Sequence, residues 1–129
     1  MERLELRYQD TQKSLKTLGS ILEEPFSVII RDATIQRFEY TFEALWKFLK
    51  EYLHEKEGIV CNSPKACFKE MFSLGLLTEQ ECVSCLEMTD RRNETSHTYK
   101  EEVAGIIYNH TKEYFLLMKT LLDKLKAKI

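Results

Sequence analysis

The sequence predicts an all-α fold, a four-helix up-and-down bundle with one additional short helix. Apolar residues recur at spacings of three and four along every long segment, and none alternates with period two. The 129 residues include only 4 Gly and 2 Pro, too few for a turn-rich β protein. At 43% hydrophobic and 31% charged residues, the chain is too apolar to be disordered. We expect a single domain over residues 1–129.

The first predicted helix covers residues 2–22 and ends before Pro25. Gly19 weakens it by roughly 1 kcal/mol relative to Ala. The next helix is the longest, from about residue 27 to 57, with Gly58 as a C-terminal stop. On this helix we expect Trp46 to face the core of the bundle and His54 to interact with the C-terminal end of the helix dipole.

Two short helices follow, each with a recognisable start. Ser63-Pro64 is typical of an N-cap followed by proline at the first helical position, and Gly75 closes that helix. Residues 78–81 have the capping-box form Thr-x-x-Glu and open the second short helix. Residues 98–101 repeat that form and predict the start of the last long helix, which continues to about residue 126.

The last helix carries two apolar seams. His110 lies in the first and is expected to be a core histidine, whereas the lysines near the C-terminus are expected to form a solvated face. Two seams suggest more than one neighbour, which a bundle that also pairs with itself would provide. The sequence therefore predicts a homodimer. The first seam contains Val103, Ile107, His110, Tyr114, Leu117 and Leu121; the second contains Phe115, Met118, Leu122, Leu125 and Ile129.

The four cysteines are expected to be structural thiols. Cys82 and Cys85 form a C-x-x-C pair, which is also compatible with zinc or redox chemistry. This pair falls within a helix-periodic segment, where such residues usually face the core. The N-terminus lacks the apolar stretch of a secretory signal, which argues against disulfides.

Charge and hydropathy narrow the range of partners. The formal net charge of −2 argues against binding long nucleic acid through a broad basic face. No apolar run reaches the roughly 18–20 residues that span a bilayer. We expect a cytoplasmic protein that does not bind membranes. Glu39 and Glu43 share a helix face without a third ligand, so the sequence predicts no metal or cofactor.

A polar junction, residues 90–99, separates the fourth predicted helix from the last. It has neither Gly nor Pro, but it concentrates two arginines, an amide, a histidine, three hydroxyl residues and a tyrosine. Loops held by rigid helices often carry binding groups. If the helix breaks near Asn93 and Thr98 caps the next one, His97 lies beside free backbone N–H groups that attract anions.

Within this junction, Arg92 is the candidate for a bidentate phosphate contact. Asn93 and Ser96 could add hydrogen bonds, and Arg37 could reach the junction from the long helix. The alternative is purely structural: Arg92 pairs with Asp90 or Glu94, His97 bonds a backbone carbonyl and Tyr99 packs.

Nearly the whole chain resembles the nucleotidyltransferase substrate-binding protein family, the helical partner that bacteria and archaea encode beside a minimal nucleotidyltransferase. The resemblance implies an accessory subunit that binds nucleotide or a partner's active site, forms a hetero-oligomer, and transfers no nucleotide by itself. It also implies Tyr99 as an AMP acceptor, because some partner transferases modify the tyrosine at this position. The matching segments are residues 35–43 with Trp46, residues 72–77, Asp90, Arg92-Asn93 and residues 96–99.

The family belongs to the HEPN superfamily, whose ribonuclease members carry an arginine and, a few positions later, a histidine. Arg92 and His97 match that pattern and imply an alternative function, a metal-independent ribonuclease toxin silenced by the partner transferase. His97 would then act as general acid or base on RNA. Glu94 departs from the family pattern and is expected to offset the charge of Arg92. A third hypothesis is a helical dimerisation module without a ligand.

Overall fold

The computed structural model describes residues 2–129, and all regular secondary structure in that range is helical. The predicted all-α class is therefore confirmed, with α3 as the additional short helix. A 3₁₀ turn separates α4 from α5. The elements are α1 (Arg3–Ile21), α2 (Val28–Glu57), α3 (Pro64–Ser73), α4 (Glu79–Asn93), the 3₁₀ turn (Thr95–His97) and α5 (Glu101–Lys126).

Side-chain contacts give the directions of the four bundle helices. The Tyr8 ring of α1 packs edge-on against Phe48 of α2, and Arg37 of α2 bonds the Thr17 carbonyl, so α1 and α2 run antiparallel. α4 is antiparallel to both α2 and α5, whereas α2 and α5 run parallel. The up-and-down order is thus α1, α2, α4 and α5, with α3 packed against α2 and α4.

Aromatic rings of α2 form the centre of the core. Phe38, Phe42 and Phe48 are completely buried. Phe38 stacks on Tyr114 of α5 at 5.6 Å, and Phe42 lies 6.1 Å from the Phe68 ring of α3. Burying each such ring contributes roughly 1.5–3 kcal/mol. α2 is consequently the element on which the other helices are assembled.

Most helix ends follow the local sequence as predicted. The Ser27 hydroxyl accepts a hydrogen bond from the Ile30 amide at the start of α2, and Gly58 ends that helix with φ 67°. Ser63 caps α3 in the same way, through the Ala66 amide. At the start of α4 both capping-box bonds between Thr78 and Glu81 are present.

The predicted capping box at residues 98–101 does not form. α5 begins at Glu101, and its N-cap residue Lys100 makes no side-chain cap. The Thr98 hydroxyl donates instead to the Thr95 carbonyl, while the Glu101 carboxylate binds Arg31 of α2 at 2.6 Å. A charge-assisted bond to a distant helix has displaced the local one.

The two seams of α5 do not by themselves require a second copy of the chain. Both seams are used within the chain, because α5 packs against α1, α2 and α4. Phe115 lies against Gly19 of α1, so close that a Cβ at that glycine would lie 2.9 Å from the ring. The homodimer therefore stays a prediction, and it has to be argued from surfaces outside these seams.

Two residues assigned to the core lie nearer the surface. The His110 side chain is 50% exposed, 3.6 Å from Glu113, with its ring stacked on the outer side of Tyr114. Trp46 is only partly buried, and its ring lies beneath the Lys50 ammonium. Helical periodicity identifies a face but does not show how deep each residue on it lies.

The cysteines divide into two pairs. Cys61 and Cys67 are joined by a disulfide that links the α2–α3 connection to α3, contrary to the expectation of free thiols. Cys82 and Cys85 are free and buried, as predicted for core thiols. Burial raises the pKa of the Cys85 thiol to about 12. Within residues 2–129 no helix is long and apolar enough to cross a bilayer.

Candidate functional site

The backbone breaks where the sequence predicted. α4 ends at Asn93, and the Glu94 amide bonds the carbonyls of Asp90 and Arg91. The 3₁₀ turn follows, with the His97 amide donating to the Glu94 carbonyl. This turn carries Thr95, Ser96 and His97 at one end of the bundle.

Arg92 is anchored to α2. Its Nη2 lies 2.6 Å from Oε2 of Glu43, and the guanidinium sits 5.7 Å from the centre of the Phe42 ring. Its Nε is buried without a hydrogen-bond partner among the described residues. Both side chains of the ion pair are about one-third exposed. Arg92 thus has a carboxylate partner, which a phosphate would have to displace.

Neither ion pair proposed for Arg92 from its sequence neighbours is present. Asp90 binds Lys65 of α3 at 2.7 Å, and Glu94 binds Arg91 at 3.2 Å. The expectation that Glu94 would offset Arg92 is therefore wrong. The offsetting carboxylate is that of Glu43, 49 residues away in sequence.

Four further junction residues face solvent. Asn93, Ser96, His97 and Tyr99 are all exposed, and 74% of Tyr99 is accessible. The His97 ring lies edge-on to that of Tyr99, with 6.1 Å between centroids. An imidazole and a phenol are thus presented side by side on the surface of the junction.

Arg37 does not reach the junction. It donates to the Thr17 carbonyl of α1 at 2.8 Å. Two carboxylates of α2 contact the junction instead: Glu43 binds Arg92, and Glu39 accepts a hydrogen bond from the Thr95 hydroxyl. Their spacing of four residues shows that they share a helix face, but the sequence gives no sign of their partners.

The start of α5 is already supplied with negative charge. Glu101 and Glu102 occupy its first turn, and Arg31 binds Glu101 through both terminal nitrogens, at 2.6 and 3.4 Å. That hydrogen bonding lowers the pKa of the Glu101 carboxyl below its ordinary value. Two carboxylates satisfy the helix dipole here, so an anion would meet less attraction than the sequence suggested.

A family model described as "nucleotidyltransferase substrate binding protein like" matches residues 6–127. The chain belongs to this family. The match includes all five α-helices except the first residues of α1, and it contains the whole junction. The resemblance drawn from the sequence is therefore confirmed.

Two solved structures share this fold. A crystal structure of a Thermus thermophilus protein is 45% identical, with a TM-score of 0.85 over 89% of this chain and 98% of that one. A Haemophilus influenzae structure, described as revealing the fold of a substrate binding domain of a nucleotidyltransferase, is 22% identical. It has a TM-score of 0.67 over 95% of this chain and 96% of that one, and supports the fold.

A curated relative, "probable ribonuclease HepT" of Haemophilus influenzae, is 28% identical over 98 residues. The aligned part is 73% of this chain and 66% of the relative, so the chain spans just under two thirds of that protein.

Proposed function

We propose that this family member is the accessory, substrate-binding subunit of a two-component nucleotidyltransferase, and that it transfers no nucleotide alone. The observation that carries the proposal is the family match over residues 6–127, which includes the solvent-exposed junction. In this proposal the junction receives the active site of a minimal nucleotidyltransferase. ATP and the partner enzyme belong to the cytoplasm, where we place this chain.

Tyr99 is the proposed acceptor of AMP. Its side chain is 74% exposed, more than that of any other tyrosine in the described residues, so a partner active site can reach its hydroxyl. The phenolic oxygen would attack the α-phosphorus of ATP, releasing pyrophosphate and losing its proton. His97, whose ring centroid lies 6.1 Å from that of Tyr99, would accept that proton through a bridging water.

We also propose that the subunit is a homodimer. Phe26, Val28 and Ile29, at the start of α2, are 63%, 54% and 81% exposed. The Phe26 ring packs edge-on against Tyr108 of α5, which extends the apolar surface. Exposed apolar residues grouped in this way are typical of interfaces. Ile29→Glu should give a monomer in sedimentation analysis, whereas an unchanged mass would contradict the proposed face.

The test of the accessory role is complex formation. The purified chain is mixed with the minimal nucleotidyltransferase encoded beside it and run on a sizing column, where a joint peak is expected. Persistently separate peaks would refute the proposal.

Co-expression followed by intact-mass measurement tests whether Tyr99 is the acceptor. The added mass of AMP should disappear in Tyr99→Phe but persist in the control Tyr40→Phe, which alters a tyrosine on α2.

A second candidate function is an endoribonuclease toxin that the partner neutralises. It is favoured by the similarity to a probable ribonuclease together with the Arg92 and His97 pair. His97 would take the proton of an RNA 2′-hydroxyl as its oxygen attacks the adjacent phosphorus, and Arg92, once released from Glu43, would stabilise the charged phosphorane. The bond from phosphorus to the 5′-oxygen of the next nucleotide would then break, and that oxygen would take a proton from water or from His97. Expression without the partner should then arrest growth, and His97→Ala should restore it while the exposed His110→Ala does not. Harmless expression of the unaltered chain would refute this function.

A further inference from the structure

A groove on the side of the bundle has no role in the site described above. It has a volume of about 480 Å³, within the usual range of roughly 300–1,000 Å³ for small-molecule sites. The first turns of α1, the C-terminal half of α2 and the α2–α3 connection form its walls. Trp46 and Cys61, the latter held by the disulfide, are among its lining residues.

The groove concentrates positive charge in a chain whose net charge is −2. Four cationic side chains line it, with Glu51 as the one carboxylate among the lining residues. Arg3 pairs with Glu51 at 3.5 Å, and Lys47 pairs with Glu43 at 3.5 Å. Within residues 2–129, the other two cations, Arg7 and Lys50, form no ion pair. The groove therefore offers two uncompensated charges to an anion.

The Trp46 indole provides the matching aromatic surface. It is partly buried, and the Lys50 ammonium lies 5.6 Å from its centroid. A base that stacks on this face would take the place of the Lys50 ammonium, which could then contact the phosphates of the same ligand. Stacking of a base on an aromatic ring contributes roughly 1–3 kcal/mol and tolerates different bases.

We propose that this groove binds a free mononucleotide. Its base would stack on Trp46, and its phosphates would lie between Arg7 and Lys50. The inference deepens the proposed function, on which it rests, by assigning the nucleotide a site separate from the junction. The net negative charge of the chain and the small volume of the groove favour a single nucleotide over a nucleic-acid strand.

The groove contains the single tryptophan of the chain, so all tryptophan emission comes from this site. The isolated protein is titrated with ATP, adenosine, inorganic tripolyphosphate and a short single-stranded oligonucleotide. We expect saturable quenching by ATP, with adenosine and tripolyphosphate each binding roughly tenfold or more weakly because each lacks half of the contacts. No saturable change with ATP, or tighter binding of the oligonucleotide, would overturn the proposal.

Charge-removing variants test the assignment of residues. Arg7→Ala and Lys50→Ala should each weaken ATP binding roughly tenfold, because each removes a charge-assisted phosphate contact. The matched control Lys112→Ala removes an exposed lysine of α5 outside the groove and should bind ATP normally. ATP affinity unchanged in both groove variants would refute the site. Lys50 is exposed and forms no ion pair, so its variant remains informative even if Arg7→Ala fails to fold.

The accessory role and the nucleotide site in the groove can be refuted independently of each other. Complex formation with the nucleotidyltransferase is measured without nucleotide, and quenching is measured without the partner. A joint peak with no quenching refutes the groove and leaves the accessory role intact. Quenching with no joint peak refutes the accessory role and leaves nucleotide binding by this chain intact.

Discussion

The junction and the groove are built from the same kinds of residue but differ in which charges are available. Each places a cation over an aromatic ring of α2: Arg92 over Phe42 in the junction, and Lys50 over Trp46 in the groove. Arg92 also has a carboxylate at 2.6 Å, whereas Lys50 has none among the described residues. A cation that the fold has already neutralised gives up an ion pair to bind a ligand, and one without a partner does not. An anion can therefore bind in the groove without breaking an ion pair, whereas at the junction it must replace Glu43 as the partner of Arg92.

Glu43 connects the two regions. One of its carboxylate oxygens binds Arg92 of the junction and the other binds Lys47, which lines the groove. The two regions therefore share one carboxylate, so a change made in either region shows how far the other depends on it.

The largest effect is expected from removing the ring beneath Arg92. Phe42 is completely buried between Phe38 and Phe68, so Phe42→Ala leaves a cavity and should lower the free energy of unfolding by about 3–5 kcal/mol. Urea denaturation measures the change. The control Val83→Ala alters a residue that is 43% exposed on α4 and should stay within about 0.5 kcal/mol. A small loss in Phe42→Ala would mean that the core can collapse around the missing ring.

On the groove side, the disulfide should have the next largest effect. Replacing Cys61 and Cys67 together by Ser removes a link across six residues of sequence and should cost about 2 kcal/mol. The same denaturation experiment with and without reductant measures it. Reductant should lower the free energy of unfolding of the unaltered chain to about that of the variant, and should leave the variant unchanged. If reductant has no effect on the unaltered chain, the bond is not formed in solution.

The sequence could predict what depends on local contacts. Ser27 and Gly58 bound α2, and Thr78 with Glu81 opens α4, because each cap is completed within a few residues of chain. The same four-residue pattern at residues 98–101 gave a wrong prediction. Its glutamate, Glu101, binds Arg31, 70 residues away in sequence. A local pattern cannot show that this distant arginine competes with the cap for the glutamate.

The candidate site likewise has features that follow from the local sequence and features that depend on distant contacts. The break after Asn93 and the exposure of His97 and Tyr99 follow from a polar run between apolar helices. The partner of Arg92 could not be predicted, because Glu43 becomes adjacent only after α2 and α4 pack. The groove could not be predicted for a related reason: periodicity assigned Trp46 to the core, and two of the cations around it come from a different helix.

Freeing Arg92 should make the junction resemble the groove. Glu43→Gln removes the negative charge at 2.6 Å from the guanidinium, and should cost about 1 kcal/mol of stability while strengthening phosphate binding at the junction. The chemical shift of the His97 ring during phosphate titration reports this binding. The matched control Glu51→Gln removes the carboxylate of the groove and should leave the His97 response unchanged. An equal response in both variants would show that the effect is one of net charge.

The smallest effect concerns pH and the ion pair at the start of α5. Hydrogen bonding by Arg31 lowers the pKa of Glu101 below its ordinary value of 4.5, so the unfolded chain binds the proton more readily than the folded one. The stabilisation from this pair is therefore fully present above about pH 4.5 and is lost as pH falls through the lower pKa of the folded state. In Glu101→Gln, the urea midpoint should therefore fall less steeply as the pH is lowered below about 4.5. Glu102→Gln, which alters the neighbouring carboxylate of the same turn, should retain it. If both variants keep the slope of the unaltered chain, the Arg31–Glu101 bond contributes no stability in solution, and Glu101 would be available to form the local cap that the sequence predicted.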